Sequence, residues 1–410
     1  MHALISIDEA DDQLQHWVER WREAAIERDE SVPLAKAMGR RLAQAVAADR
    51  PLPPYDRVMM DGVVVRADDW RSGLREFQLV WTQAAGAAPR AGVPSGCAVE
   101  VMTGAVCPLA PAEAVVVPVE RLVGGIPAAG GLVVADAGSV ADLEPGRFVH
   151  PCGADAAAGA TLLDVGAMVG PSELGILASC GIENVRVARQ IRVAVVSTGD
   201  ELVAVGDQPE AHQIRRSNDV VISGFATKHG AKLIRCDHVA DERAELVSLV
   251  AMLDGLADVV LFSGGVSMGR RDHVPSVLGD RCGEPLFHGV RQRPGKPFGV
   301  WDGGSTLFCA LPGNPVSVLA CLCRHVGPLL AAMSGAPAAV ATCELDAPIA
   351  PLPDFGLLKP VAAVAEDRVA PLVMRNSGDF AGIGGLAGFV ELPAAGESVA
   401  AGTRLHFYPC

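Results

Sequence analysis

Aromatic side chains are scarce in this chain: two Tyr, five Trp and eleven Phe make up 4% of 410 residues, of which 50% are hydrophobic. Its interior must therefore be built mainly from Val, Leu and Ala. Basic residues are also in deficit, with 34 Lys and Arg against 48 Asp and Glu and a formal charge of -14. The far field of such a surface repels polyanions, which argues against general binding to nucleic acid or to an anionic membrane. An anionic ligand would need a local positive pocket. No run of about 18 uncharged apolar residues occurs, and the N-terminal MHALISIDEADD lacks a basic segment followed by an apolar one. Neither membrane insertion nor export is expected, and a cytoplasmic location follows. The eleven Cys include no CxxC pair and no companion His pattern, so no zinc site is expected and most should be reduced core thiols.

What is abundant is glycine and proline, 45 and 29 residues, the mark of a loop-rich globular chain. Its length exceeds one hydrophobic core and predicts about two to four domains. The most informative stretch is DVVLFSGGVSMGRRDHV, residues 258–274. Residues 259–262 read as a buried strand, which opens into Ser263, Gly264, Gly265 and Ser267 before the carboxylate of Asp272. Glycines let backbone approach an anion, and hydroxyls with successive N–H groups can bind an oxyanion beside a helix start. Downstream, RQRPGKPFG concentrates Arg291, Arg293 and Lys296 in an acidic chain, a candidate anion clamp. LPGNPVS follows, with Asn314 predicted as N-cap and Pro315 as first residue of an apolar helix over 316–333.

From residue 191 the rhythm is strand, helix, strand: strands over 191–196, 232–235 and 259–262, with helices from about 219 and over 241–253. This predicts a doubly wound α/β domain whose ligand crevice lies beyond the carboxyl ends of its strands. STGDEL (197–202) and the SGGVS loop fall on that same edge. There Glu201 and Asp272 suit a hard cation such as Mg²⁺, which takes one or two carboxylates with water and phosphate. Two roles are open to Asp200, a third ligand or a turn cap, and Ser217 and Asn218 can cap a helix or meet a phosphate. Asp241 and Glu242 fit either an acidic pair at the site or a helix N-terminus.

Before this domain, Ser6 and Glu9 form a capping-box pattern ahead of an apolar stripe at Leu14, Trp17, Val18, Trp21 and Ala25, a helix. Short apolar runs between 77 and 145 predict a small β domain, and residues 171–182 a second helix ending at Gly181. After Pro337 short alternating segments predict a β-barrel-like end.

Six strings in order, PPYDRVMMDG (53–62), MTGA (102–105), STGDEL, SGGVSMGRRD (263–272), RPGKPFG (293–299) and LPGNPVS (311–317), together resemble the molybdopterin molybdenumtransferase family. The resemblance runs from about residue 10 to the C-terminus. It implies a multidomain α/β plus β protein: an elongated helical and β support domain from 1–50 and 146–188, a small β domain at 51–145, a molybdopterin-binding-like α/β domain at 189–336 and a C-terminal β-barrel-like domain at 337–410. It also implies a homodimer that inserts molybdate into adenylylated molybdopterin with Mg²⁺-dependent release of AMP. Its possible protein partners are the adenylyltransferase that supplies this substrate and the enzymes that receive the cofactor. Catalytic roles pass by this resemblance to Asp61, Thr103, Asp155, Asp272 and Lys296, with Asp61 and Thr103 facing the partner subunit's site. Substrate-binding roles pass to Ser217, Asn218, Ser263, Gly264, Gly265, Ser267, Arg293, Lys296, Pro312, Gly313, Asn314, Pro315 and Ser317. Two departures stand out: the acidic return segment reads Gly153-Ala154-Asp155-Ala156, and Arg293 replaces the first lysine of Lys-Pro-Gly-Lys-Pro. A paralogue that binds molybdopterin as a scaffold and a tungstate-preferring transferase are the alternative readings.

Overall fold

The computed structural model describes residues 3–24, 28–266, 272–336 and 341–410. The chain divides into two compact units, one formed by Met1–Glu30, Gly39–Arg41 and Val187–Cys410, the other by Ser31–Met38 and Leu42–Arg186. Helix α1 (Ile7–Glu23) opens the chain with the capping box in place: the Glu9 amide donates to Ser6 Oγ at 3.1 Å and the Ser6 amide to Glu9 Oε2 at 2.7 Å. Ile7, Ala10, Leu14, Trp17, Val18 and Trp21 are buried, in one core cluster with the apolar residues of the α/β domain. The sequence grouping of this helix with residues 146–188 differs from the observed division. Its stripe and Trp17 Nε1, which donates to Asp302 at 2.9 Å, find their partners in the first unit.

In the second unit a six-stranded sheet is centred on β1 (Gly62–Arg66), β2 (Glu76–Gln83), β3 (Cys97–Val101), β4 (Ala114–Pro118), β5 (Leu122–Val123) and β6 (Leu132–Ala135), in the order β4-β1-β3-β2-β6-β5. Alternate valines leave β1 on opposite faces, Val63 and Val65 to one cluster and Val64 to another, so both faces are covered. Helix α2 (Pro171–Ser179) stops two residues before the predicted glycine.

The α/β sheet of the first unit contains β7 (Arg192–Thr198), β8 (Lys232–Val239), β9 (Val259–Ser263), β10 (Phe287–His288), β11 (Gly299–Asp302) and β12 (Leu307–Leu311) in the order β8-β7-β9-β12-β11-β10. The first four strands are parallel; β11 pairs antiparallel with β12, and β10 pairs antiparallel with β11 and so runs with the first four. Period-two alternation sends Val193, Val195, Val259 and Leu261 to one face and Ala194, Val196, Val260 and Phe262 to the other. Helix α3 (Asn218–Lys228) covers the first face. Helices α4 (Arg243–Leu253) and α5 (Val274–Cys282) cover the second. With both faces sealed, the accessible part of the sheet is its edge, and the loops after β7, β8, β9 and β12 all emerge on one side.

The apolar helix predicted over 316–333 is instead three pieces: α6 (Pro315–Cys321), a π-helical turn (Leu322–Val326) and α7 (Gly327–Ser334). Pro315–Ser334 is long and apolar enough to cross a membrane by composition, but 83% of that window is buried inside the fold. The π turn adds a residue to the helical path and brings Arg324 and His325, both buried, into a core otherwise lined by apolar groups. The C-terminal strands β13 (Ala341–Leu345), β14 (Gly356–Ala365), β15 (Arg368–Pro371), β16 (Leu386–Leu392) and β17 (Arg404–Pro409) close on themselves in the order β14-β15-β13-β17-β16, with β16 returning to β14. This closed five-stranded barrel also takes Gln292–Arg293 as a parallel partner of β14 at Gly356 and Leu357.

Candidate active site

Three contiguous lobes open at the carboxyl edge of the α/β sheet, and Gly313, in the turn after β12, lines all of them. The first, about 270 Å³, is acidic: Glu201, Asp241 and Asp272 line it with Thr198, Gly199, Gly264 and Gly265. The second, about 470 Å³, is of mixed character: Glu201, Arg215 and Arg216 line it together with hydrogen-bonding groups at Ser217, Asn218, Ser263 and Asn314 and with Phe380. The third, about 630 Å³, is basic and is lined by Arg293, Lys296 and Lys359 with Ser317, Met374 and Asn376. Here a cationic patch stands within a molecule of formal charge -14.

The acidic lobe is made by loops that strand ends bring together. Asp200 Oδ1 accepts from the Asp241 amide at 3.0 Å, tying the β7 loop to the β8 loop. Asp241 has its carboxyl pushed above its ordinary range, first by partial burial and then by the charges of Asp200 and Glu201. Such accumulated negative charge favours a bound cation. Among the described residues no group of three His, Cys, Asp or Glu side chains is placed to hold a metal ion. Thr198 Oγ1 is buried there without a hydrogen-bond partner.

The glycines after β9 are required by close packing. Gly264 has φ +88°, and a Cβ on it would stand 2.5 Å from the Thr198 carbonyl oxygen; one on Gly265, φ +60°, would stand 2.5 Å from Thr198 Oγ1. Gly264→Ala is therefore expected to destabilise the fold by about 1–2 kcal/mol from backbone handedness alone, with loss of ligand binding as the loop moves away. Gly279→Ala, where nothing lies within 4 Å of the added carbon, is the matched control, expected to unfold no earlier than wild type in a thermal melt.

In the middle lobe Asn218 Nδ2 donates to Ser263 Oγ at 2.9 Å and to the Gly313 carbonyl at 2.8 Å. Asn218 thus joins three loops, while Ser217 at the N-cap position makes no capping bond. Asn314 holds the expected N-cap position, with Pro315 first in the helix, but its side chain makes no capping bond: its Nδ2 donates to Ser377 Oγ at 2.8 Å, linking the LPGNPVS turn to the loop at 377–380. In the basic lobe both cations of the RPGKP loop lie over the ring of Phe355, with Arg293 Cζ 4.7 Å and Lys296 Nζ 5.8 Å from its centre. Met374 and Asn376 line this lobe, whereas Arg375 between them does not.

The structure thus gathers Glu201, Ser217, Asn218, Ser263, Gly264, Gly265, Asp272, Arg293, Lys296, Pro312, Gly313, Asn314, Pro315 and Ser317 around one cleft. Ser267 lies outside the described residues. In the other unit, the Thr103 amide and hydroxyl both donate to Asp61 Oδ1, at 2.6 and 2.9 Å, and hold that exposed carboxyl below its usual range. Asp155 is paired differently, with His150 Nε2 at 2.8 Å from its Oδ1. Sequence reasoning missed Thr198, Phe355 and Lys359 as lining or flanking groups. Lys359 had a signal, a single cation inside the apolar strand GLLKPVAAVA, and burial lowers its ammonium from its usual value. Phe355 precedes that strand and had none.

Fold and cleft define a multidomain α/β enzyme with a molybdopterin-binding type of sheet edge. Residues 5–181 match the MoeA N-terminal region (domain I and II), and residues 194–332 match the probable molybdopterin binding domain. The chain is 34% identical over 392 residues to the molybdopterin molybdenumtransferase of Synechocystis sp., covering 93% of this chain and 95% of that one. It is 30% identical over 400 residues to molybdopterin molybdenumtransferase 2 of Mycobacterium tuberculosis, covering 92% and 94%. The crystal structure of the molybdopterin biosynthesis moea protein from Pyrococcus horikosii superposes with a TM-score of 0.81 at 25% identity, covering 99% of both chains. The chain belongs to the molybdopterin molybdenumtransferase family, transferases of molybdenum cofactor biosynthesis.

Proposed function

We propose that this chain acts as a cytoplasmic homodimer that inserts molybdate into the dithiolene of adenylylated molybdopterin, with Mg²⁺-dependent release of AMP. The observation that supports it most directly is the sequence of lobes about Gly313, acidic, then mixed and rich in hydrogen-bonding groups with Arg215 and Arg216, then basic. A ligand that carries a phosphoanhydride, a polar ring system and an oxyanion reactant needs those three environments side by side. Glu201 and Asp272 are the residues that would hold Mg²⁺, which when bound supplies neutralisation of phosphate charge. Asn218, Ser263 and the amides after Gly313 orient the ligand. Arg293 and Lys296 concentrate the oxyanion, and their fixed charges contribute by placement rather than by proton transfer.

The test incubates purified protein with adenylylated molybdopterin, Mg²⁺ and either molybdate or tungstate, following AMP release and reconstitution of a molybdoenzyme. Release with molybdate is expected; silence with both anions would leave a scaffold role. Lys296→Ala should raise the half-saturating molybdate concentration roughly 10- to 100-fold, as for a lost charged hydrogen bond, whereas Arg293→Lys, which keeps the charge, should change it less than about fivefold. Wild-type molybdate dependence in Lys296→Ala would move the oxyanion elsewhere. In the dimer, Asp61 and Thr103 are assigned to the partner subunit's site. Mixed dimers of inactive Asp61→Ala and inactive Asp272→Asn chains should then recover part of the activity, and verified mixed dimers without recovery would refute that assignment.

A further inference from the structure

The RPGKP loop rests on two buried polar side chains that the family reading does not use. Gln292, fully buried, immediately precedes Arg293, and His325 reaches it from the π-helical turn. His325 Nε2 lies 2.7 Å from Gln292 Oε1, and its ring stacks on Phe298 at 5.0 Å between centres and 21° between planes. Phe298 closes the other side of the same loop. Gln292 Nε2 lies 3.5 Å from the Gly295 carbonyl and 3.7 Å from Cys321 Sγ. Gly295 has φ +100°, and a Cβ on it would stand 2.5 Å from Gln292 Nε2, so the tightest point of the loop is seated directly on this amide.

Buried polar groups are costly where apolar ones would pack equally well. On the side of the loop the neighbours Val290, Phe298, Cys321 and Leu322 are apolar or a neutral thiol, while the charged Asp11 and Arg324 lie near the other ring nitrogen of His325. We propose that Gln292 and His325 are positioning residues, a hydrogen-bonded pair that fixes the 293–297 loop so that Arg293 and Lys296 face the basic lobe. What the loop binds rests on the function proposed above; that the pair orders the loop does not. The neutral imidazole donates through Nε2–H to Gln292 Oε1, which directs the Gln292 amide N–H groups toward Gly295. On the opposite side Nδ1 faces Asp11 at 3.6 Å, too far for a hydrogen bond, with Arg324 next to it in the chain. The π turn is what makes the pair possible, since its extra residue rotates position 325 toward the loop.

Four variants test the pair: Gln292→Met, His325→Leu, the double variant, and His325→Gln, whose amide can still donate to Gln292. Each is measured by thermal melting, by hydrogen exchange at the amides of Val290 and Phe298, which donate to the Lys296 and Gly295 carbonyls, and by molybdate dependence of AMP release. The single variants lose stability because a buried partner is left unpaired, and the double variant regains it. The double variant nevertheless exchanges these two amides about tenfold faster, and its half-saturating molybdate rises about tenfold while kcat stays within about twofold, the equivalent of one lost local hydrogen bond. His325→Gln restores both readouts. A double variant with wild-type exchange and wild-type molybdate dependence would show that packing alone positions the loop and would overturn the proposal. So would a His325→Gln protein as impaired as His325→Leu. If wild type releases no AMP at all, the functional reading falls, and the exchange rates alone still decide for or against the pair.

Discussion

Asp272→Asn should reduce AMP release by about 10²–10³-fold, the effect of removing one preorganised charge from a reacting phosphate site, while leaving the unfolding midpoint close to wild type. Asparagine keeps the shape of the side chain, removes its charge and turns one acceptor oxygen into an NH₂ donor that cannot ligate a cation. Asp272 stands at the lobe where Glu201 and Asp241 already crowd negative charge. The Mg²⁺ concentration for half-maximal release should rise in Glu201→Gln as well, because both carboxylates are assigned to one cation. Turnover at the wild-type rate in Asp272→Asn, with a normal Mg²⁺ titration, would remove the cation from this lobe. Circular dichroism and a thermal melt on the same preparation separate lost chemistry from lost fold.

Arg324→Leu should cost stability at neutral pH on the scale of about 3–5 kcal/mol expected for breaking a buried ion pair, read by urea denaturation. The guanidinium is nearly buried, donates from Nε to Glu391 at 2.5 Å, and grips Asp11 through two nitrogens at 2.9 and 2.7 Å. It also stands 4.8 Å above the Tyr408 ring, whose hydroxyl donates to the same Glu391 oxygen at 3.0 Å. The lower end of the range is expected, since the Asp11 side chain is 42% exposed and water screens what the buried arginine leaves behind. The pH dependence has a definite sign. Burial acts to raise the Asp11 carboxyl, but the nearby His325 ring and the hydrogen bonds and charge of Arg324 outweigh it and hold the carboxyl below its ordinary 3.8. A depressed carboxylate stabilises the fold fully above that ordinary value, and the contribution is lost as pH falls through the lower, folded value. In Arg324→Leu the burial effect is no longer outweighed, so this acid limb should flatten or reverse. An unchanged limb would locate the acid sensitivity in other carboxylates.

Local sequence carried the parts of this protein whose causes are local. The capping box at Ser6 and Glu9, the buried runs that became β7 and β9, and the serine and glycine loops after them could be read because cap chemistry and apolar periodicity act within a few residues. Glu201 and Asp272 could be placed on one edge because parallel strands put their carboxyl ends together. What was not legible depends on partners far away in the chain. Asn314 has a good N-cap identity, yet Ser377, 63 residues later, takes its amide. The uniform apolar character of 316–333 gave no warning of the π turn, since the residues that reward it, Asp11 and Gln292, lie on other elements. Phe355 meets Arg293 and Lys296 beside a barrel strand pairing that no periodicity in 291–299 announces.

Helix α1 has a consequence for the order in which the chain is made. Its buried stripe joins core residues numbered from Ile191 onward, and the partner of Asp11 is 313 positions further along. A ribosome therefore releases α1 with Trp17 and Trp21 uncovered and must complete the whole of the second unit, Leu42–Arg186, before the first strand that shelters them emerges. During that interval the helix is an amphipathic segment without its docking face, a natural client for a chaperone that binds exposed apolar stripes on nascent chains.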